Sequence, residues 1–488
     1  MPSWKNLRST VKEIIDLGSK SATLADPKSS LFCQQFLNQA PRDRSELIKF
    51  ICLDHGLKTD QIFNSINFLT NSSKNLNDFS KNFRLGNYDK LSTSIRPEYY
   101  NLFQNLARVK EGVSTLVKLR ADLLKILEQK YELNTKIEED LKIMNFILKN
   151  MLVLWFSTGL LNIQRIDWKS PTILVEKVAQ YESVHQIKTL TDLKNRLGST
   201  RRCFIYTHST MPYEPLVILH IALTNSVSSN ISDLIKRYKT AANEENKEFD
   251  ATKCTNAIFY SINSCQKGLQ QVDLGNSLIK SCVRLLLEEL PNLKNFHTLS
   301  PIPRFKEWLD LKIALRIENK SDIFQMDKCF KQDEIDFLNE HFKTNDFTQL
   351  IYQIKDYINS SKFKKVVEDF DSEINDFKTK ANDYRLDSIM VGFLIKACSF
   401  YLFFEKKNGY AFNSVTNFHI KNGAQIYRLN FGADQSDNGW RSSYSMMVNY
   451  GYNLNDLDYN CVNYLTTKSI KISELFEKNL INFSQSKI

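Results

Sequence analysis

Along the first 165 residues the apolar positions recur at spacings of three and four, the period of a helix with one buried face. Leu47, Ile48, Ile51 and Cys52 make one such face behind a helix-opening Pro41. A longer stripe, Leu102, Leu106, Val109, Val113, Leu116, Val117, Leu123, Leu124 and Leu127, predicts one helix from Pro97 to Lys130. Thr135 and Glu138 have the spacing of a capping box, which starts the next helix at Ile137 and carries it to Leu160. Few prolines and little strand-like alternation interrupt this region. Residues 1–165 are therefore expected to form an α-helical bundle that serves assembly or supports a second domain.

The pattern changes near Trp168. Pro171 suits the first turn of a short helix, and Gly198 the position just after another. Arg202–Tyr206 and Leu216–Leu223 read as paired strands around the turn Met211–Pro215, and the polar stretch 225–253 as an excursion with a helix over Ser232–Lys239. Ala257–Ile262 is a short apolar run of the aromatic and β-branched residues that suit a buried strand. A polar loop follows, then a helical pattern (Leu274, Leu278, Ile279, Cys282, Val283, Leu286), the breaker Pro291 and a second strand ending at Leu299. From Glu307 to Lys407 the pattern is helical, with a charged and solvated middle (Lys362–Asp383) and an apolar segment, Leu386–Phe404, that should pack on the core. Phe418–Phe431 returns to alternation, with Asn422-Gly423 as a two-residue hairpin turn; Ser445–Tyr452 is a further strand, and a helix lies near Ser473. Residues 166–488 thus predict a mixed-sheet α/β domain with a helical insertion between Ser300 and His419.

Composition narrows this picture. A chain of 488 residues that is 42% hydrophobic and 25% charged has the make-up of an ordinary globular protein of several domains. Its formal charge of +10 favours polyanionic ligands without the dense basic blocks or motifs of a nucleic-acid partner. The most apolar run, Met151–Leu161, is too short to span a membrane. Nine cysteines show no Cys-x-x-Cys pair and no grouping with histidine, which predicts reduced thiols and no metal site. The N-terminus is basic with no acid before Glu13, leaving a mitochondrial presequence open. Ser486-Lys487-Ile488 at the C-terminus differs from the peroxisomal Ser-Lys-Leu address in its last aliphatic residue alone. Peroxisomal delivery through an import receptor is the expectation, with the mitochondrial matrix or cytoplasm as further possibilities.

Candidate chemistry gathers around the strand–loop–helix–strand unit from Ala257 to Phe305. Its loop, Gln270, Gln271, Val272, Asp273, Leu274, Gly275 and Asn276, delivers backbone N–H groups to a helix N-terminus, where phosphate is readily bound. Ser300 stands just past the second strand, beside Pro301 and Pro303, which stiffen the backbone next to its hydroxyl. From the residues alone, Ser300 also suits a serine satisfying a turn, His419 a structural histidine, and the loop a plain connection. His208, His220 and Glu214 read as structural. Cys265, beside the loop, has no base placed to activate it. Arg201 and Arg202 read either as contacts for phosphate or as exposed residues at a strand start.

The loop 270–276 followed by Leu278-Ile279 resembles the pyrophosphate loop of GNAT-type acyl-CoA enzymes, with Gln271 and Asp273 standing where that pattern prefers glycine. Taken with Leu299-Ser-Pro-Ile-Pro303, Arg201-Arg202-Cys203, Glu214–Thr224 and Asn417-Phe-His-x-x-Asn-Gly-Ala424, the chain resembles the malonyl-CoA decarboxylases, most strongly over residues 170–452. The resemblance implies a GNAT-like catalytic domain that converts malonyl-CoA to acetyl-CoA and CO2, and so sets the malonyl-CoA level in fatty acid metabolism. It implies Ser300 as proton acceptor, His419 as proton donor, Asn422 and Tyr452 in the same pocket, and a homo-oligomer, a tetramer. No cofactor is expected, because the thioester itself delocalises the carbanion left when CO2 departs. Two rivals remain: a GNAT acyltransferase moving an acyl group from CoA to an amine, and a non-catalytic acyl-CoA-binding protein.

Overall fold

The computed structural model describes residues 4–71, 85–129, 134–235, 250–272, 274, 278–318, 324–371, 376–377 and 384–480. They fall into two compact units, the first formed by Met1–Gln164, Ile205–Val217 and Ser264–Gly275, the second by Arg165–Phe204, Ile218–Asn263 and Asn276–Ile488.

The first unit is helical, as the spacing of its apolar residues requires. Leu7, Val11 and Ile14 from Trp4–Lys20 are fully buried, with Phe32 and Phe36 from Ala22–Leu37 and Leu47, Ile48 and Ile51 from Pro41–Asp54. The predicted helix from Pro97 to Lys130 is two helices, Glu98–Ala107 and Gly112–Glu128. Glu111 between them takes a left-handed φ of 65°, and a Cβ on Gly112 would lie 1.6 Å from the Leu106 carbonyl oxygen. The chain turns there, and the stripe continues because both helices face the same core. The next helix, Thr135–Trp155, is capped one residue earlier than predicted, by the Asn134 side chain accepting from the Ile137 amide at 2.9 Å. It also stops short of Leu160, since Leu161–Ile166 is the strand β1. A charge pair is buried in this unit: Arg44 Nε lies 2.6 Å from Asp122 Oδ2, and its Nη1 donates to the Gln39 carbonyl.

An eight-stranded mixed sheet runs in the order β1, β2 (Arg201–His208), β3 (Val217–Thr224), β4 (Asn256–Ser264), β5 (Asn295–Thr298), then Met447–Gly451 and Gln425–Asn430. We call the short strand Ser300–Pro301 β6, Gln425–Asn430 β7 and Met447–Gly451 β8; β6 pairs with β8. β4 and β5 are parallel, joined through the helix Leu278–Glu289, while β8 is antiparallel to β5, β6 and β7. One face of this sheet in the second unit packs Ala222, Ile258, Tyr260, Leu299, Ala433 and Met447 into a core cluster.

The insertion between Ser300 and His419 is helical: Phe305–Ile317, Gln332–Phe342, Phe347–Ile358, Ser361–Asp369 and Tyr384–Phe403. Tyr384–Phe403 is the one described helix long and apolar enough to cross a membrane, more so than the Met151–Leu161 run, but most of it is buried inside the fold. The predicted helix over Ser232–Lys239 is helical at residues 231–235, and its remainder lies outside the described residues, as does part of the charged stretch 362–383.

One prediction fails at a place that matters. Phe418 to Gly423 is not the arm and turn of a hairpin: Ser414–Lys421 is a helix, and β7 begins at Gln425. Gly423 has φ +83°, its N–H bonds to the Ile420 carbonyl and that of Ala424 to the His419 carbonyl. That pair of bonds is a Schellman stop, the other common use of an Asn-Gly step. Arg201 and Arg202, expected either at phosphate or exposed, are both buried: Arg202 forks onto Glu289 (Nη2–Oε1 2.6 Å), and Arg201 donates to the Leu234 carbonyl.

Glycine substitutions test this backbone. A Cβ at residue 423 would stand 2.1 Å from the Leu457 carbonyl oxygen at a positive φ, so Gly423→Ala should lower stability by about 1–3 kcal/mol. Gly392→Ala, mid-helix with nothing near its Cβ, should raise it by about 0.5–1 kcal/mol. Guanidinium unfolding midpoints of the two variants should move in opposite directions.

Candidate active site

Period-two alternation through β5 and β6 puts Thr298 and Ser300 on the same face of the chain, with Leu299 turned to the apolar core behind. The Ser300 hydroxyl donates to Thr298 Oγ1 at 2.9 Å, and that oxygen also accepts the Tyr450 amide at 3.0 Å. Pro301 and Pro303 then carry the chain into a turn. The Pro303 carbonyl accepts from the Tyr401 hydroxyl at 3.0 Å and from Asn413 Nδ2 at 3.1 Å.

Asn413 is also the N-cap of the Ser414–Lys421 helix, its Oδ1 accepting the Val415 and Thr416 amides at 3.1 and 3.0 Å. The cap fixes where the helix starts, and so which way His419 points. Its ring stacks on Tyr450 at 4.4 Å between centroids, and Thr416, one turn back, bonds the Tyr450 hydroxyl at 2.7 Å. Nε2 of His419 lies 3.1 Å from Ser300 Oγ, and Nδ1 lies 2.7 Å from the Tyr452 hydroxyl. The hydrogen-bond directions choose a tautomer. Since Ser300 spends its one hydrogen on Thr298, the contact to His419 is filled by an Nε2–H, and Nδ1 accepts from Tyr452.

Ser300, His419 and Tyr452 are 6, 3 and 4% exposed. Burial pushes the His419 imidazole down to about 3 and the Tyr452 phenol well above its ordinary value. The ring is therefore neutral at physiological pH, a hydrogen-bond donor toward Ser300 and an acceptor toward Tyr452. Such a set can hold an anionic group, present a proton to it and exclude water.

Of the residues singled out from sequence, the structure brings Ser300, His419 and Tyr452 into one hydrogen-bonded chain. Asn422 sits at the end of the His419 helix, where its amide nitrogen donates to the Phe418 carbonyl at 2.8 Å. In the loop, Asp273, Gly275 and Asn276 lie outside the described residues. Gln270 and Gln271 are exposed, whereas Val272 and Leu274 turn inward, and Gln271 takes a φ of +65°. The tail Ser486, Lys487 and Ile488 also lies outside the described residues. His220 is fully buried against Glu182, Nε2 to Oε2 3.2 Å, and that carboxylate also receives the Ser261 hydroxyl and the Val184 and His185 amides.

Thr298, Tyr450 and Asn413 went unnoticed in the sequence. Thr298 and Tyr450 each stand two residues before a candidate in a strand, a signal that was available. Asn413 lies in no such register. Among the described residues, no three His, Cys, Asp or Glu side chains gather as a metal site.

Comparison with known proteins gives one consistent family. Residues 159–487 match the malonyl-CoA decarboxylase C-terminal domain and residues 69–156 its N-terminal domain. The chain is 37% identical over 400 residues to the mitochondrial malonyl-CoA decarboxylase of Anser anser anser, covering 82% of this chain and 72% of that protein. With the mitochondrial malonyl-CoA decarboxylase of Mus musculus it shares 37% over 388 residues, 79% of this chain and 72% of the other. Its fold resembles that of the Rhodopseudomonas palustris malonyl-CoA decarboxylase (TM-score 0.74, 24% identity, 98% of this chain and 100% of that one). The malonyl-CoA decarboxylase of Cupriavidus metallidurans is similar as well (TM-score 0.66, 25% identity, 98% and 100%).

The buried imidazole has a consequence for acid stability. Its pKa is depressed from 6.5 to about 3, so the fold favours the neutral ring. That stability is present above pH 6.5 and is lost as the pH falls toward 3, where unfolding takes up a proton. Over this window one such group contributes a slope of about 1.4 kcal/mol per pH unit. In urea titrations at a series of pH values, His419→Asn should lose stability less steeply than wild type by that amount. Equal slopes would mean that the ring is not held neutral by burial.

Proposed function

This chain belongs to the malonyl-CoA decarboxylase family, and from that premise we propose that Ser300 and His419 are the groups that act on the malonyl end of its substrate. The enzyme is a carboxy-lyase that converts malonyl-CoA to acetyl-CoA and CO2. The bond between Cα and the carboxylate breaks, its electron pair passes to Cα and the thioester oxygen as an enolate, CO2 leaves, and Cα gains a proton. The observation that carries the assignment is one distance: Ser300 Oγ and His419 Nε2 are 3.1 Å apart although 119 residues separate them in sequence.

In this reading Ser300 meets the malonyl carboxylate and His419 returns the proton through Nε2. Burial keeps the free imidazole neutral, so the charge that favours the imidazolium is the malonyl anion itself, brought against Nε2 with its carboxylate desolvated. Tyr452, hydrogen-bonded to Nδ1, orients the ring and steadies it as its charge changes. The proton that ends on Cα is replaced from solvent, which balances the reaction. We assign the CoA phosphates to the loop Gln270–Asn276, and propose that no cofactor takes part because the thioester is the electron sink. Incubating the purified protein with malonyl-CoA, with no amine acceptor, should release acetyl-CoA and CO2 in equal amounts; CoA binding without turnover would favour a sensor instead.

The mitochondrial relatives support a mitochondrial location, and we add peroxisomal delivery through Ser486-Lys487-Ile488, together with a homo-oligomeric assembly. Deleting the three residues should leave turnover in vitro unchanged and remove the protein from peroxisomes. A full-length protein that never colocalises with a peroxisomal marker would sink the tail assignment.

Ser300→Ala and His419→Asn should each lower kcat by on the order of 10²–10⁴, with much smaller effects on CoA affinity. Because the two side chains share one hydrogen bond, the double variant should be little slower than the poorer single one. Multiplicative losses, or near-normal turnover in either single variant, would defeat the assignment.

A further inference from the structure

The chain that leaves Ser300 has few handles by which it can be held. Pro301 and Pro303 have no N–H to donate, and Arg304 turns the backbone at a φ of 65°. On its far side from β8 the segment is held through its carbonyls. That of Ile302 accepts from Ser442 Oγ at 3.5 Å, a long bond, and that of Pro303 accepts from Tyr401 at 3.0 Å and from Asn413 Nδ2 at 3.1 Å. The two donors to Pro303 are themselves neighbours, Asn413 Nδ2 lying 3.4 Å from the Tyr401 hydroxyl oxygen.

Asn413 is 2% exposed, and both ends of its amide are occupied. Oδ1 receives the Val415 and Thr416 amides and, at 3.2 Å, the Thr416 hydroxyl. Amide hydrogens can go only to an oxygen, so these bonds fix the orientation of the side chain and leave Nδ2 toward Pro303. Because Thr416 spends its hydrogen on Asn413, it accepts from the Tyr450 hydroxyl, and the ring that supports His419 is tied to the same amide. Among the described residues, none of the hydrogen bonds of Asn413 reaches Ser300 or His419. Serine and aspartate start helices as well as asparagine does, so capping alone does not call for an amide here. The bond to Pro303 does, since it needs a donor on the side chain that caps.

We propose that Asn413 is a positioning residue for the decarboxylation: its Nδ2 bond to the Pro303 carbonyl, more than its capping oxygen, keeps Ser300 Oγ within reach of His419 Nε2. The residue acts on the chemical step without touching the reacting atoms. Its oxygen sets the start of the helix that carries His419, and its nitrogen sets the distance from that start to the segment that carries Ser300. This rests on the assignment of Ser300 and His419 to the malonyl end of the substrate.

The experiment compares full-length wild type, Asn413→Asp, Asn413→Ser, Asn413→Ala and Ser300→Ala. For each, kcat and KM are measured with malonyl-CoA, CoA affinity by calorimetry, and stability by the urea midpoint. Aspartate and serine keep an oxygen for the cap, but a carboxylate offers no hydrogen and the serine side chain is one bond shorter. Their midpoints should therefore stand above that of Asn413→Ala, whereas kcat should fall in all three by on the order of ten- to a hundredfold. KM and the CoA Kd should stay within about twofold of wild type. Near-normal kcat in Asn413→Asp and Asn413→Ser would mean that the cap is all that matters, and would overturn the inference. If Asn413→Ala does not fold, the two cap-competent variants carry the test. A double variant supplies a readout that loss of stability would not produce. Added to Ser300→Ala, Asn413→Asp should cost at most about twofold more, because the side chain it aligns is already gone. A full multiplicative loss would overturn the inference as well. Near-normal turnover in Ser300→Ala would sink the assignment of Ser300 and this inference with it, whereas a slow Ser300→Ala beside a normal Asn413→Asp sinks this inference alone.

Discussion

One side-chain amide holds Ser300 and His419 together. Asn413 uses its oxygen to start the helix that carries His419 and its nitrogen to hold the carbonyl of Pro303, three residues past Ser300. Two segments more than a hundred residues apart are brought into register by these bonds, and neither proline can supply a competing N–H. Without the amide, the helix start is free to slip and the Pro303 carbonyl keeps one donor, from Tyr401. The short distance between Ser300 and His419 is thus a result of how their elements are fastened. Their own hydrogen bond contributes only part of it.

Around this fastening the polar groups are organised in layers. Thr298 receives both the Ser300 hydroxyl and the Tyr450 amide, and Tyr450 gives His419 a flat face to rest on while its hydroxyl meets Thr416. Each polar group in this set has its alternative partners already taken. This removes rotamer and tautomer freedom in advance, and leaves a neutral imidazole in a dry setting whose Nε2–H can be presented to an anion placed against it.

Much of the fold could be read from residue pattern alone. The helical stripes, the strand–loop–helix–strand unit and the apolar helix Leu386–Phe404 all depend on local periodicity, which survives without tertiary information. The misreadings share one cause. Pro97–Lys130 looked continuous because a stripe does not record a turn whose two arms face the same core, and Asn422-Gly423 looked like a hairpin because the same dipeptide also ends helices. Choosing between those uses of Asn-Gly required knowing that Asn413 caps a helix nine residues earlier. Arg201 and Arg202 were misread because a strand start says nothing about partners far along the chain, the Leu234 carbonyl for Arg201 and Glu289 for Arg202. Ser300 and His419 were singled out through a family likeness. Of their companions, Thr298 could have been reached from its strand register, two residues before Ser300, whereas Asn413 carries no such signal and needed the tertiary structure.

The seating of Gly268 against the Gly112–Glu128 helix, where a Cβ would lie 1.8 Å from the Val117 carbonyl oxygen, bears on how such a protein can be divided or recombined. The segment Ser264–Gly275 belongs by compactness with the N-terminal helices, although it lies deep within the stretch matched by the C-terminal domain. A cut or fusion made at the linear border between the two domains would therefore strand a peptide whose natural seat is on the other fragment. The segment and its seat are far apart as text and together as objects, so exchange between family members should preserve matched pairs of helix and segment, and the C-terminal region expressed alone would leave Ser264–Gly275 without the helix it rests on.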